Sequence, residues 1–394
     1  MKKKKQITAK PSPVPAPVDH DHRLHYFEER RAAIVETIRQ LVELESPSDN
    51  KAAADRLASL LAGRFEALGG HSKFHRVHDF GNHLQVDFPG RRGAPVLLLG
   101  HYDTVYPLGT LSTMPCHATD GRLAGPGALD MKSGIALMLH AIEGLRARDG
   151  ELPRPVTVLL VSDEEVGSAS SRRITEEVAK RSAAVLVLEP AQGRAVKTAR
   201  KGVGGYTVKV TGKAAHAGLD PQKGASAIVE LARQIPVIAR LAQPARGITF
   251  NVGVISGGTR TNVVAAEASA EIDVRVSQAK DFAGIDRKLR ALKPFDKRCR
   301  LEFTGGLNRP PMERTAGVAE LFKKASAIAK ALKWKLEETS AGGGSDGNFT
   351  AGLGIPTLDG LGGVGEGAHA HHESIAIAEL PRRTALIAGL IEIA

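Results

Sequence analysis

Three short apolar runs in the first half of the chain each end in acids or histidine. Residues 96–99 lead into His101-Tyr102-Asp103-Thr104, residues 156–161 into Asp163-Glu164-Glu165, and residues 185–188 into Glu189-Pro190. Apolar runs this short, flanked by helical stretches, read as strands buried on both faces. Open α/β sheets place ligands in the crevice beyond the carboxyl ends of their strands. A single His or Glu at a strand end is ordinarily a solvated loop residue. Three segments delivering His, Asp and Glu to one edge instead suit a borderline metal such as zinc, which takes imidazole nitrogen and carboxylate oxygen.

A further acid, Asp130, closes the glycine-rich stretch Gly125-Pro126-Gly127-Ala128-Leu129-Asp130, just ahead of a helix starting near Ser133. Taken locally it is a helix-capping residue, but the glycines beside it also let backbone approach a ligand closely. His101 and Asp103 stand two apart and point the same way in extended chain. The Asp103 carboxylate can therefore orient the His101 imidazole. Glu164 and Glu165 are adjacent and point oppositely in extended chain, so they share a site only if the backbone bends there. Their plain alternative is an acidic helix start. Near the C-terminus, residues 367–373 (Gly-Ala-His-Ala-His-His-Glu) offer three more histidines.

Elements must hold these residues in place. Ile34, Ile38, Leu41 and Leu44 recur at helical spacing and stop before Pro47. Leu57, Leu60, Leu61, Phe65 and Leu68 make a second such face, closed by Gly69-Gly70. Helical stretches at 133–148 and 172–183 separate the apolar runs, the alternation of a parallel sheet covered by helices. The middle of the chain differs. Residues 203–211, 247–256, 268–277 and 299–304 read as half-buried antiparallel strands, with helices at 224–241 and 278–292. That βαββαβ order describes one sheet with two helices on a single face, as in ferredoxin-like modules. A helix near 315–332, a short strand at 355–358 and a last helix near 379–393 return to the first style. The expected fold class is α/β: a three-layer catalytic domain in two parts, 26–197 and 307–394, with an α+β module inserted at 198–306.

The chain has 394 residues, 42% hydrophobic and 25% charged, which supports a globular core and excludes disorder over most of its length. Cys116 and Cys299 are the only cysteines, so it is no disulfide scaffold. No apolar run approaches the roughly 18–20 residues of a membrane span. The net charge of +11 raises a nucleic-acid reading. However, Lys2, Lys3, Lys4, Lys5 and Lys10 sit in a Pro-rich tail, expected to be disordered over 1–25. Elsewhere Lys and Arg are interspersed with acids and form no basic stripe. Neither nucleic acid nor membrane is expected as a partner. The tail lacks the apolar stretch of about 7–15 residues of a secretory signal, and two unpaired thiols favour a cytoplasmic location.

His101-x-Asp103, the loop ending at Asp130, the Glu164-Glu165 pair, Glu189 and a C-terminal His together resemble the di-zinc aminoacylase/carboxypeptidase family of metallopeptidases. The resemblance runs from about residue 30 to the end, and within the family the chain looks most like the folate-cleaving glutamate carboxypeptidases. It implies a zinc-exopeptidase α/β domain whose inserted lid pairs two subunits into a homodimer. It also implies two Zn2+ per subunit, at positions that Co2+ or Mn2+ could fill. By the family pattern Asp130 would bridge the metals, His101 and Glu189 would complete one, and Glu165 and His369 the other. Glu373, four residues on, picks His369 from the three histidines. Glu164 would be the general base that takes a proton from the bridging water, with Asp103 behind His101. In the lid, His216 would enter the partner subunit's site and help stabilise the oxyanion. Asn262 and Arg275 would contact substrate, an Arg fork being suited to a carboxylate, and Gly344 would line the pocket through its backbone. Read from residue type alone, His216 is an ordinary residue after a turn, Arg275 a half-exposed strand residue, and 343–348 a tight turn.

The implied reaction hydrolyses an amide bond and releases a C-terminal amino acid, glutamate first, from an N-acyl or short-peptide substrate with a free carboxylate. Aminoacylases and dipeptidases of the family share every metal ligand and stand as alternatives. The alternative of another class is a non-catalytic relative that binds metal or small acids.

Overall fold

The computed structural model describes residues 20–394; the lysine-rich start of the expected tail lies outside the described residues. The main sheet has six strands, in the spatial order His71–His75, His83–Phe88, Val156–Val161, Val96–His101, Ala184–Val187 and Thr357–Leu358. Val96–His101 is parallel to both of its neighbours, and Thr357–Leu358 continues the parallel run. Every residue of Val96–His101 and Val156–Val161 is buried, as strands covered on both faces require.

The sheet is not parallel throughout. His83–Phe88 runs antiparallel to Val156–Val161, and His71–His75 antiparallel to His83–Phe88. The outermost strand, His-Ser-Lys-Phe-His, is polar and partly exposed. A charged edge of this kind resists pairing with other chains, and it carries no apolar run that would mark it as strand.

Alternate residues of the central strands feed two cores, which makes the domain three-layered. Leu98, Val158 and Leu160 pack with Ile34, Ile38, Leu57, Phe65, Ile135, Ile142 and Leu386 of the helices on one face. Leu97, Leu99, Leu159 and Val161 pack with Val178 and Ala179 on the other. Each fully buried Leu or Val contributes roughly 1.5–3 kcal/mol. The first helix, His20–Glu29, begins inside the stretch expected to be a tail. Phe27 is buried and Arg23 pairs with Glu392 on the C-terminal helix Leu380–Ile393. Leu24 and Phe27, three apart, supply an apolar face that the neighbouring lysine and proline composition masks.

Residues 202–309 form a separate four-stranded antiparallel sheet. Its strands Gly202–Thr211, Thr249–Gly257, Glu267–Val276 and Arg300–Arg309 lie in the spatial order second, third, first, fourth. Helices Ala227–Ala239 and Ala279–Arg290 join its core of Val208, Val210, Leu231, Ile272, Val274 and Leu289. The fourth strand runs to Arg309, beyond the expected end at 304. The chain enters this module from Val196–Arg200, which pairs in parallel with Glu338–Ala341.

At that entrance Arg200 meets Asp359 in a buried two-pronged pair, Nε to Oδ2 at 2.7 Å and Nη2 to Oδ1 at 2.8 Å. Removing one partner of a buried pair costs about 3–5 kcal/mol, because it strands the other charge. Asp359→Ala is expected to lower the thermal midpoint of the metal-free protein by several degrees in calorimetry. Glu177→Ala, which breaks an exposed pair with Arg173, should leave it essentially unmoved. Equal midpoints for the two variants would contradict a structural role for Arg200–Asp359.

Candidate active site

The carboxyl ends of the central strands meet in one cleft. His101 is the last residue of its strand and is buried. Glu189 follows the neighbouring strand, and its position depends on close backbone approach. A Cβ on Gly134 or on Gly362 would come within 2.1 Å of the Leu188 carbonyl oxygen. Only glycine at both positions lets the start of helix Ser133–Asp149 and the 362 loop close around that strand end.

The bend needed at Glu164-Glu165 is present. Asp163 leaves the extended region (φ −139°, ψ 21°), and Glu164–Val166 form one turn of 3₁₀ helix. Two aspartates hold this turn. The Asp163 carboxylate accepts the N–H groups of Ser170 at 2.7 Å and Ser171 at 3.3 Å. Asp103 accepts the Ser48 hydroxyl at 2.7 Å and the N–H groups of Glu164 and Glu165 at 3.4 and 3.3 Å. Asp103 also faces His101, whose Nδ1 lies 3.0 Å from the Asp103 carbonyl and 3.4 Å from its carboxylate. One residue thus links the imidazole to the paired glutamates.

Asp130 lies at the centre. Its Oδ1 is 3.2 Å from His101 Nε2, which is itself 3.5 Å from Glu189; its Oδ2 is 3.4 Å from His369 Nε2, which is 3.1 Å from Glu165. Each carboxylate oxygen therefore faces a different His and Glu. Burial would raise the Asp130 carboxyl, but hydrogen bonds from His101 and His369 outweigh it and hold the group well below the usual range. Burial opposes charge on His101, yet Asp103, Asp130 and Glu189 together carry it well above its ordinary value. Asp130 and Glu165 push His369 up to about 10. Burial raises the carboxyls of Glu164 and Glu165. Potential ligand atoms of His101, Asp130 and Glu165 all lie within 4.8 Å of one another, as do those of His101, Glu164 and Glu189. Imidazoles among crowded, buried carboxylates are the donor set that divalent zinc, cobalt or manganese takes, so the residues present fit metal ions.

The C-terminal segment closes the site through Glu373. This fully buried carboxylate accepts the N–H groups of Leu129 at 2.7 Å and Asp130 at 2.9 Å on one oxygen. Its other oxygen takes the Gly127 N–H at 3.1 Å and the Tyr106 hydroxyl at 2.6 Å. Four donors fix the Asp130 loop to the segment that carries His369. His369 itself sits in the left-handed region at φ 64°, a conformation costing a non-glycine residue roughly 1–3 kcal/mol and concentrated at functional sites. His371 and His372 are exposed.

The lid residues are arranged differently. His216 is exposed, and its Nδ1 accepts the N–H groups of Gly218 and Leu219 at 3.1 and 3.2 Å. In the neutral ring the proton is therefore on Nε2, which is left able to donate. Asn262 lies beside it, its carbonyl accepting the Ala217 N–H. The Arg275 fork is taken by Asp273 on the same strand, at 2.8 Å. Gly344 turns its carbonyl to Arg200 at 3.2 Å. None of His216, Asn262 and Arg275 hydrogen-bonds to the cleft cluster among the described residues.

Residues 97–393 match the profile of peptidase family M20/M25/M40. The chain belongs to this family. It is similar to carboxypeptidase G2 of Pseudomonas sp. (strain RS-16), 29% identical over 92% of this chain and 89% of that protein. It is also similar to acetylornithine deacetylase of Salmonella arizonae, 30% identical over 71% of this chain and 77% of that one. Among solved structures, aminopeptidase PepT of Bacillus cereus shares the fold, with a TM-score of 0.78 at 24% identity, covering 92% of this chain and 98% of the other.

In this M20 metallopeptidase the supports of the site were the residues least visible beforehand. In the sequence Glu373 is marked only by its spacing from His369. Arg200, Arg309 and Tyr106 carry no motif, and Asp346 lies in the 343–348 loop, whose reading rests on its backbone and not on this acid; the Pro310-Pro311 pair after Arg309 is the one local sign of a fixed exit from the lid. For Glu373 the geometry makes a direct expectation. Glu373→Gln replaces an acceptor oxygen by an NH2 group facing backbone N–H donors. It should lower zinc affinity about 10–100-fold, the usual scale for losing a partner that orients metal ligands. Titration calorimetry of the metal-free protein reads this directly, and wild-type affinity would contradict the role given to Glu373.

Proposed function

We propose that this M20 enzyme is a di-zinc exopeptidase that releases a C-terminal amino acid, glutamate first, from N-acyl or short-peptide substrates. The observation that carries the reading is the division at Asp130, one oxygen toward His101 and Glu189 and the other toward His369 and Glu165. When bound, a metal pair at these residues would supply an acidified water and polarise the scissile carbonyl. Glu164 stands beside these groups, with one carboxylate oxygen held by Arg309 at 3.0 Å. Its raised proton affinity suits a group that accepts a proton from the attacking water and returns it to the departing nitrogen. Asp103 keeps the Nδ1 side of His101 engaged, leaving Nε2 toward the cleft. Similarity to carboxypeptidase G2 supports the glutamate preference. Similarity to acetylornithine deacetylase supports a second reading, an N-acyl amino acid deacylase built on the same ligands.

A panel of N-acyl amino acids, dipeptides and folyl-glutamate, assayed for free amino acid after zinc loading, separates these substrates. Failure of every member would overturn the exopeptidase reading. Because Glu164 lies within ligand distance of His101 and Glu189, its role needs its own test. Glu164→Gln should bind two zinc ions and lose at least about 10²-fold in turnover; loss of a metal would make Glu164 a ligand instead.

The lid supports a homodimer. Thr249–Gly257 is an edge strand with Val254 and Ile255 more than half exposed, a surface open to pairing with a second copy. Two-fold symmetry would bring equivalent lid loops toward opposite subunits. His216 could then donate from Nε2 to the partner's substrate oxyanion, a contact typically worth about 2.7–4 kcal/mol in the transition state. Mixing inactive His216→Ala and Glu164→Gln subunits should restore part of the activity, since one site of a mixed dimer has both groups intact. Verified mixed dimers without activity would rule out the shared site.

A further inference from the structure

Arg309, the last residue of the lid's returning strand, is buried against the acids of the cleft. Its Nη1 donates to Asp346 at 2.6 Å. Its Nη2 lies 3.0 Å from a Glu164 carboxylate oxygen, 3.0 Å from the Glu164 carbonyl and 2.9 Å from the Ser168 hydroxyl. Ser168 in turn donates to the same Asp346 oxygen, and the Phe349 ring lies 4.9 Å from the guanidinium carbon. The guanidinium is thus fixed from several sides, and one of its nitrogens holds both the main chain and the side chain of Glu164. Among the described residues Arg309 is the only hydrogen-bond partner of the Glu164 carboxylate, and it engages one oxygen alone.

We propose that Arg309 is a positioning residue for Glu164. It fixes the carboxylate by Oε1 so that Oε2 remains turned to the reacting water, and it makes the placement of the base depend on how the lid is seated. The alternative use of a buried arginine here, gripping a substrate carboxylate through both terminal nitrogens, would have to break these contacts. Asp346 takes Nη1, and three acceptors surround Nη2. The inference rests on Glu164 as general base.

The test compares kcat, KM and zinc stoichiometry of the zinc-loaded enzyme on the panel substrate it turns over fastest. Arg309→Lys keeps a charge, but a single ammonium cannot bridge Asp346 and both groups of Glu164. The expected result is a fall in kcat of at least about 10-fold, KM within about 3-fold, and two zinc ions bound as in wild type. In a Glu164→Gln background the same change should alter the residual kcat by less than about 2-fold, because a residue acting through Glu164 has nothing left to position. Asp346→Asn, with Arg309 intact, should lower kcat in the same direction and to a smaller extent. It carries the test if Arg309→Lys does not fold. A rise in KM with kcat retained, a multiplicative loss in the double variant, or a missing zinc ion would each overturn the proposal. Wild-type turnover by Glu164→Gln alone would instead overturn the base assignment on which it rests.

Discussion

Five carboxylates, those of Asp103, Asp130, Glu164, Glu165 and Glu189, converge on a cleft with little exposure to water. Two like charges 4 Å apart repel by about 4 kcal/mol at the dielectric typical of protein. The cluster cannot persist without compensation from every side. Part of it comes from His101, within 3.5 Å of three of these acids. More comes from His369 against Asp130 and Glu165, from Arg309 against Glu164, and from Arg200, 3.6 Å from Glu189. Burial is the main reason that Glu164 and Glu165 hold a proton more tightly than usual, and the five acids face only two imidazoles and two guanidinium groups. A cleft left short of positive charge, with imidazole nitrogens inside it, has the electrostatic character that divalent cations satisfy.

The same constraint explains why the lid joins the catalytic domain where it does. The chain leaves the catalytic domain just after Arg200 and returns at Arg309, and both side chains reach acids of the cleft. Each arginine is also tied to a buried aspartate that takes no part in the cluster, Asp359 for Arg200 and Asp346 for Arg309. Buried guanidinium groups are tolerated only when fully paired. The roots of the lid are therefore pinned by the charge balance of the site, and the lid cannot shift at its base without disturbing Glu164 and Glu189.

What could be read in the sequence follows the physics that writes it there. Buried strands announce themselves as apolar runs, so the acids that follow them at 101–103, 163–165 and 189 were legible. The lid, with its own two-residue and helical periodicities, was legible in order and nearly in extent. The antiparallel strands His71–His75 and His83–Phe88 were not: the first is an edge strand that faces water and carries no such run, and in the second the polar His83, Gln85 and Asp87 interrupt the buried Leu84, Val86 and Phe88. Arg200 and Arg309 sit in strands where arginine ordinarily faces solvent. Their burial is decided by partners more than 35 residues away, and no local pattern records it. Arg275 looks by type like an anion-binding residue, while its fork is engaged by Asp273 two positions earlier. The helix His20–Glu29 was hidden by composition, its buried anchor Phe27 and the adjacent Tyr26 lying at the border of a lysine- and proline-rich stretch.

The distribution of the site along the chain has its own logic. His101, Asp130, Glu164, Glu165 and Glu189 come from one continuous stretch, whereas His369 and Glu373 follow the lid. Glu373 reaches back across 243 to 246 positions to the N–H groups of the Asp130 loop. Closing a loop that long costs little more than closing a short one, since the entropy grows only as the logarithm of length, about 0.6 kcal/mol per doubling. A whole folded module can therefore stand between two halves of one site, provided its ends leave and re-enter at fixed points. Arg200–Asp359 and Arg309–Asp346 supply those points. The four hydrogen bonds of Glu373 then complete the closure, so that His369 faces Asp130 whatever the length of chain between them.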